Sequence, residues 1–210
     1  MKVLLINGSP NEKGCTYTAL NEIAQTLNKE DISTEIYYIG KDAIAPCRAC
    51  GACAKIKKCV INDKVNDFID YAGDFDGYII GSPIHYGSIC GGAATFLDRV
   101  FYASYSSGKN VFKHKPSAAI VSARRAGTCA TIDQLNKYFQ ISQMPIISGR
   151  YWNMVHGKTP DEVLQDKEGM QNMRFLARNM AYFLKCIQTA KNNGINPPME
   201  EDVICTNFIR

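Results

Sequence analysis

Four cysteines stand between positions 47 and 59, as Cys47-Arg48-Ala49-Cys50-Gly51-Ala52-Cys53 and then Cys59, a spacing of CxxCxxCxxxxxC. Two-residue gaps let successive thiolates converge on one side of a tight loop, and bacterial ferredoxins open their cluster run the same way. Ala49, Gly51, Ala52 and Ala54 are small enough to leave room for an inorganic cube, and Arg48, Lys55, Lys57 and Lys58 offset the charge of four thiolates. Cys47, Cys50, Cys53 and Cys59 therefore suit a [4Fe–4S] cluster better than zinc, whose structural sites usually come as two separated pairs. Zinc and unligated thiols stay open as alternatives. Nine cysteines in 210 residues are too sparse for a disulfide scaffold, and the count is odd. Cys90, Cys129, Cys186 and Cys205 read as lone buried thiols.

A second candidate is the segment Gly8-Ser9-Pro10-Asn11-Glu12-Lys13-Gly14-Cys15-Thr16-Tyr17-Thr18. Backbone N–H groups at a helix start, with the hydroxyls of Ser9, Thr16 and Thr18, can hold a phosphate by hydrogen bonds and the helix dipole alone. The segment lacks the Gly-Lys-Ser/Thr ending of an ATP seat and the GxGxxG spacing of a classical NAD seat, which leaves a terminal monophosphate such as that of FMN. A plain helix with Thr16 as N-cap is the alternative.

Two further segments supply walls. Gly81-Ser82-Pro83-Ile84-His85-Tyr86-Gly87-Ser88 sets a His and a Tyr beside two glycines, so an aromatic side chain can cover a flat conjugated ring while backbone groups bond its edge. Alone, His85 would read as a structural histidine. Ser122-Ala123-Arg124-Arg125-Ala126-Gly127-Thr128 offers cations that would stabilise a reduced, anionic flavin, or else a solvated surface pair.

These segments need a frame, and the hydrophobic pattern gives one. Short apolar runs at 2–6, 34–39, 76–80, 117–121 and 145–148 read as strands, and periodic segments at 16–29, 65–72, 92–103, 131–138 and 168–191 read as helices. Five strands alternating with helices predict a doubly wound parallel sheet, in which ligands bind beyond the carboxyl ends of the strands where strand order reverses. Residues 1–195 form one domain in this reading, with 45–62 as a cysteine-rich insertion after the second strand and 196–210 as a C-terminal extension. The third strand is expected to end at Gly81-Ser82-Pro83.

Composition excludes several classes. Hydrophobic residues at 46% and charged residues at 21% describe a globular chain, not a disordered or fibrous one. The formal charge is +4, but the cations are scattered, so nucleic acid is not indicated. No apolar run approaches the ~18 residues of a membrane span, and the opening Met-Lys-Val-Leu-Leu-Ile is broken at Asn7-Gly8, so a cytoplasmic protein is expected.

Together, Gly8-Ser9-Pro10 with Gly14-x-Thr16, the cysteine segment running into Asn62-Asp63, and Gly81-Ser82-Pro83-Ile84-x-Tyr86-Gly87 resemble the flavodoxin-like NAD(P)H-dependent FMN reductases, and within them the iron–sulfur flavoproteins. The likeness runs over about residues 1–187 and includes Tyr151-Trp152-Asn153. It implies that Ser9, Asn11, Cys15 and Thr16 hold the FMN phosphate, and that Pro83, Ile84, His85, Tyr86 and Gly87, with Ser122, Arg124 and Arg125, line the ring. Cys15 stands where the family often has Asn, and Asn11 where it often has Arg or Lys. The implied activity passes electrons from a ferredoxin-type or NAD(P)H donor, through the cluster, to FMN and on to a small-molecule acceptor. A cluster-free NAD(P)H:FMN or quinone reductase is the near alternative, and a non-enzymatic carrier like flavodoxin the distant one, disfavoured by the positive charge. The cysteine insertion leaves the crevice edge, so a neighbouring subunit's flavin is the natural acceptor and a homodimer or homotetramer is expected.

Overall fold

The computed structural model describes residues 1–206 and Phe208. Of the extension expected over 196–210, Asn207, Ile209 and Arg210 lie outside the described residues. The strands are β1 (Lys2–Asn7), β2 (Ser33–Tyr38), β3 (Gly77–His85), β4 (Ser88–Ile89), β5 (Ser117–Ala123) and β6 (Met154–His156). The helices are α1 (Cys15–Asn28), α2 (Ala52–Ile56), α3 (Lys64–Ala72), α4 (Gly91–Ser106), α5 (Thr128–Ile141), α6 (Pro160–Gln165) and α7 (Lys167–Asn192). Five strands pair in parallel in the order β2-β1-β3-β5-β6, and β4 folds back antiparallel on the end of β3. The chain leaves β1 first for β2 on one side and then for β3 on the other, so strand order reverses between β1 and β3.

Strand geometry explains the two layers. Successive side chains point to opposite faces. Leu4, Ile6, Tyr78, Ile80, Ala119 and Val121 bury into one apolar cluster with Phe68 of α3, Phe96 and Val100 of α4, and Leu135 and Phe139 of α5. Their neighbours Val3, Leu5, Ile79, Ala118, Ile120 and Val155 bury on the other face with Leu20, Ile23 and Leu27 of α1 and Met173, Leu176 and Met180 of α7. Near-continuous apolar strands are what a sheet covered on both sides requires. Helix starts are fixed locally: the side chains of Asp63, Thr159 and Asp166 cap α3, α6 and α7, accepting from the amides of Val65, Glu162 and Gly169.

Two strands differ from the sequence reading. The fifth strand is not at 145–148, where the only ladder contact among the described residues is an isolated bridge from Ser117 to Ile146. Pro145 has no N–H to give, and the buried Asn172 carboxamide holds the following loop instead. Its Oδ1 accepts from the amides of Arg150 and Tyr151 at 2.7 and 3.0 Å, and its Nδ2 donates to the carbonyls of Tyr151 and Trp152 at 3.2 and 3.0 Å. The strand then forms at 154–156 against Val121–Ala123. The third strand does not stop at Gly81-Ser82-Pro83 but runs to His85. Its pairing with β1 ends at Gly81, so beyond that point Pro83 removes no bond from the β1 side of the ladder.

Beyond α7, residues 195–206 carry neither helix nor strand and are exposed. Among the described residues no helix is long and apolar enough to cross a membrane. Phe96 is fully buried and sits 4.9 Å ring to ring from Phe68. Phe96→Ala is expected to cost about 3–5 kcal/mol, read as a lower urea midpoint at unchanged slope.

Candidate functional site

The carboxyl ends of β1, β3 and β5 deliver three loops to one crevice. The first loop is shaped from within by Asn7, fully buried at the end of β1. Asn7 Oδ1 accepts from the Ser9 amide at 3.1 Å, and its Nδ2 donates to the Glu12 carbonyl at 2.9 Å. Ser9 Oγ accepts from the Asn11 amide at 3.0 Å, and the Tyr38 hydroxyl donates to the Pro10 carbonyl at 2.7 Å. Gly14, rather than Thr16, occupies the N-cap of α1 and brings no side-chain bond. Among the described residues the amides of Glu12, Lys13, Thr16 and Tyr17 have no acceptor, and the first turn of the 14-residue helix holds no acid. Lys13 lies over the Tyr17 ring at 4.0 Å. Amides, the helix dipole and hydroxyls are therefore the donors this loop offers an anion.

Thr16 has another task. Its hydroxyl, 1% exposed with its residue, lies 2.8 Å from the Ser122 hydroxyl and ties the first loop to the end of β5. Cys15 donates through Sγ to the Gly157 carbonyl at 3.7 Å, which brings the segment after β6 against the start of α1. Burial pushes the Cys15 thiol up, outweighing its backbone hydrogen bond, and Glu162 adds to the rise. A neutral thiol adds no negative charge beside a bound phosphate.

The second loop is a β-hairpin that the sequence reading missed. Ile84 pairs with Ile89 and His85 with Ser88, leaving Tyr86-Gly87 as a two-residue turn in which both residues have positive φ, 52° and 73°. This is the turn that matches strand twist, and its second residue suits glycine. A two-residue aromatic-glycine link between extended segments was the available signal. Gln134 of α5 holds the hairpin, accepting through Oε1 from Ser88 Oγ at 2.8 Å and from the Ile89 amide at 3.2 Å. Pro83 and Ile84 are half-buried, while His85 and Tyr86 are exposed, so His85 is not a satisfied core histidine.

The third loop closes on the second. Gly127 has φ 91°, and a Cβ there would stand 2.9 Å from the Gly87 Cα, so only glycine lets the two turns touch. Ser122 is buried, whereas Arg124 and Arg125 are exposed and, among the described residues, make no ion pair. The structure thus places Ser9, Asn11, Cys15 and Thr16, Pro83, Ile84 and Gly87, and Ser122 at the carboxyl ends of β1, β3 and β5, with His85, Tyr86, Arg124 and Arg125 exposed to solvent from the same loops. A Cβ at Gly87, Gly91 or Gly92 would meet nothing within 4 Å, so the rim there is open. The unpaired amides and the open rim fit a phosphate-bearing planar ligand.

The cysteine segment lies elsewhere, between β2 and α3 and against α4. Cys47, Cys50, Cys53 and Cys59 line one pocket together with Arg99, Tyr102 and Ala103 of α4. Cys47 and Cys50 are exposed, Cys53 is buried and Cys59 half-buried. Among the described residues no group of three or more His, Cys, Asp or Glu side chains stands in metal-ligating proximity. The donor chemistry, four thiols around one pocket with Arg48 and Arg99 beside them, fits an anionic thiolate cluster. Arg99, absent from the sequence reading, is 1% exposed. It donates from Nη1 to Asp63 Oδ2 and from Nη2 to Asp63 Oδ1 at 2.8 Å, and Nη2 also reaches Cys59 Sγ at 3.3 Å. Burial would raise the Asp63 carboxyl, but the Arg99 and Val65 hydrogen bonds and nearby cations hold it below the usual carboxylate range. The signal was an arginine three residues beyond Phe96, on the helix face that the apolar spacing marks as buried. The remaining cysteines divide: Cys90 is buried as expected, but Cys129, Cys186 and Cys205 are exposed, because they fall on the outer faces of α5 and α7 and in the tail.

Comparison with known proteins fits this geometry. Residues 1–159 match the profile of a family described as NADPH-dependent FMN reductase, and the chain belongs to that family of FMN-dependent oxidoreductases. It is 28% identical over 194 residues to an iron-sulfur flavoprotein of Methanocaldococcus jannaschii, covering 90% of this chain and 100% of the relative. An iron-sulfur flavoprotein of Methanosarcina thermophila is 26% identical over 90% of this chain and 97% of its own. In fold the chain resembles a flavodoxin from the domain Archaea, at TM-score 0.60 and 12% identity over 88% of this chain and 99% of that one. The contact between turns has a direct test: Gly127→Ala should weaken FMN binding about tenfold, about 1.4 kcal/mol, by fluorescence titration, with far-UV circular dichroism unchanged.

Proposed function

We propose that this chain is an iron–sulfur flavoprotein that passes electrons from a ferredoxin-type or NAD(P)H donor to FMN and on to a small-molecule acceptor. The observation that supports it most is the gathering of all four cysteines of the 47–59 segment around one pocket on α4, in the same domain as a crevice fitted to a flavin phosphate. Ser9, Asn11, Cys15 and Thr16 hold the FMN phosphate with the α1 amides. Pro83, Ile84, His85, Tyr86 and Gly87 border the ring on one side and Ser122 on the other. Arg124 and Arg125 stabilise negative charge on the reduced flavin. Bound FMN supplies hydride and single-electron chemistry at its ring. Cys47, Cys50, Cys53 and Cys59 hold a [4Fe–4S] cluster, which supplies one-electron chemistry.

The cysteine pocket is displaced from the crevice. Arg99 lies eight residues along α4 from Gly91, about 12 Å of helix, so the cysteines and the same subunit's crevice are not adjoining. The assembly that goes with this reading is a homodimer or homotetramer in which one subunit's cysteines serve its neighbour's flavin, as the exposure of Cys47 and Cys50 outside the crevice allows. Five exposed free cysteines support a reducing, cytoplasmic setting. The second reading is a cluster-free NAD(P)H:FMN or quinone reductase, since among the described residues no three His, Cys, Asp or Glu side chains stand in metal-ligating proximity.

Protein purified without oxygen is expected to show flavin absorbance with a broad iron–sulfur shoulder and stoichiometric acid-labile sulfide. Cys50→Ser should lose iron and keep FMN; unchanged iron would end the cluster assignment. Sedimentation should show a dimer or larger species, and a monomer at micromolar concentration would remove the intersubunit route.

A further inference from the structure

We propose that Arg99 is a positioning residue that sets the reduction potential of the cysteine centre, with Asp63 as its counterweight. The inference rests on the cluster reading above. Arg99 is the largest fully buried side chain of the described residues, and a buried guanidinium is costly unless its charge and its donors are met. Its fork reaches both ends of the cysteine segment. Nη1 donates to the Ala45 carbonyl at 3.3 Å, ahead of Cys47, and Nη2 to the Ile61 carbonyl at 3.3 Å, just after Cys59. Both nitrogens also meet Asp63, and Nη2 lies 3.3 Å from Cys59 Sγ. Arg99 Nε has no partner among the described residues.

A structural clasp would need only the carbonyls and the carboxylate. The sulfur contact is different in kind. Hydrogen bonds to cluster sulfurs and net local charge are among the factors that set an iron–sulfur potential. Reduction adds one negative charge to the centre, and a buried guanidinium donating to a ligating sulfur stabilises that added charge. Asp63 opposes the effect, since its carboxylate cancels most of the arginine's field at short range. The side chain is an arginine and not a lysine because one planar group must serve the carboxylate, two carbonyls and the sulfur together.

The opposed pair gives opposed predictions. In the holoprotein, the midpoint potential of the centre is followed by anaerobic redox titration with low-temperature electron paramagnetic resonance, and iron, sulfide and FMN are assayed on each sample. Asp63→Asn keeps the arginine and removes its counter-charge, and should make the potential more positive. The double variant Arg99→Gln/Asp63→Asn strands no buried charge, and should make it more negative, by about 59 mV for each tenfold loss in the one-electron equilibrium. Iron content and FMN content should stay at wild-type values in both. Unchanged potentials in iron-loaded variants would overturn the assignment, as would shifts of the same sign. Loss of iron from both variants with FMN retained would also overturn it, leaving Arg99 a structural clasp. Wild-type protein without iron would be a distinct failure, one that removes the cluster reading and this inference with it.

Discussion

The site depends on how closely two backbones approach where strand order reverses. The Gly8 amide donates to the Gly81 carbonyl at 2.8 Å, beyond the last regular pairing of β1 with β3. A Cβ on Gly8 would stand 2.8 Å from Ala93 Cβ and 2.9 Å from the Gly81 oxygen, and one on Gly81 would stand 2.8 Å from Thr16 Cγ2. Neither position leaves room for a side chain. This contact draws the first loop, the start of α1 and the first turn of α4 together, and the Thr16–Ser122 bond and the Gly127–Gly87 contact then add the other two walls.

Helix α4 connects this crevice with the cysteine segment. Its N-terminal end is fixed at the crevice, where the Cys90 amide donates to Ser82 Oγ at 3.1 Å. Farther along, Arg99 reaches Asp63 and Cys59. Between them Ala93, Phe96 and Leu97 are buried in the core. A well-packed helix thus carries one contact at its N-terminal end and another at its middle, and it sets the offset between flavin seat and cysteine pocket.

Much of this was legible in the residues, and the exceptions have physical causes. Apolar runs such as Val3-Leu4-Leu5-Ile6 declare buried strands because both faces are covered. The loops of the crevice were found because glycines and hydroxyls at strand ends have few other uses. The fifth strand was misplaced because Ile146 and Ile147 look like a ladder, while the bond that decides the path comes from Asn172, on a distant helix. The hairpin was missed because its second strand is two residues long. Arg99 went unnoticed because a charged residue on an apolar face looks like a break in the pattern until its partners, far off in sequence, are brought to it. Exposure of Cys129 and Cys186 depends on which helix face the sheet covers, which local sequence does not state.

In the proposed site the amides at the start of α1, with the Ser9 hydroxyl, hold the phosphate of a flavin, while the buried Thr16 hydroxyl ties that loop to Ser122. Titration of apoprotein with FMN and with riboflavin, which share the ring and differ in the phosphate, tests this phosphate seat most directly. FMN is expected to bind tighter by about 100-fold or more, about 2.7 kcal/mol. Equal affinity for the two would contradict it.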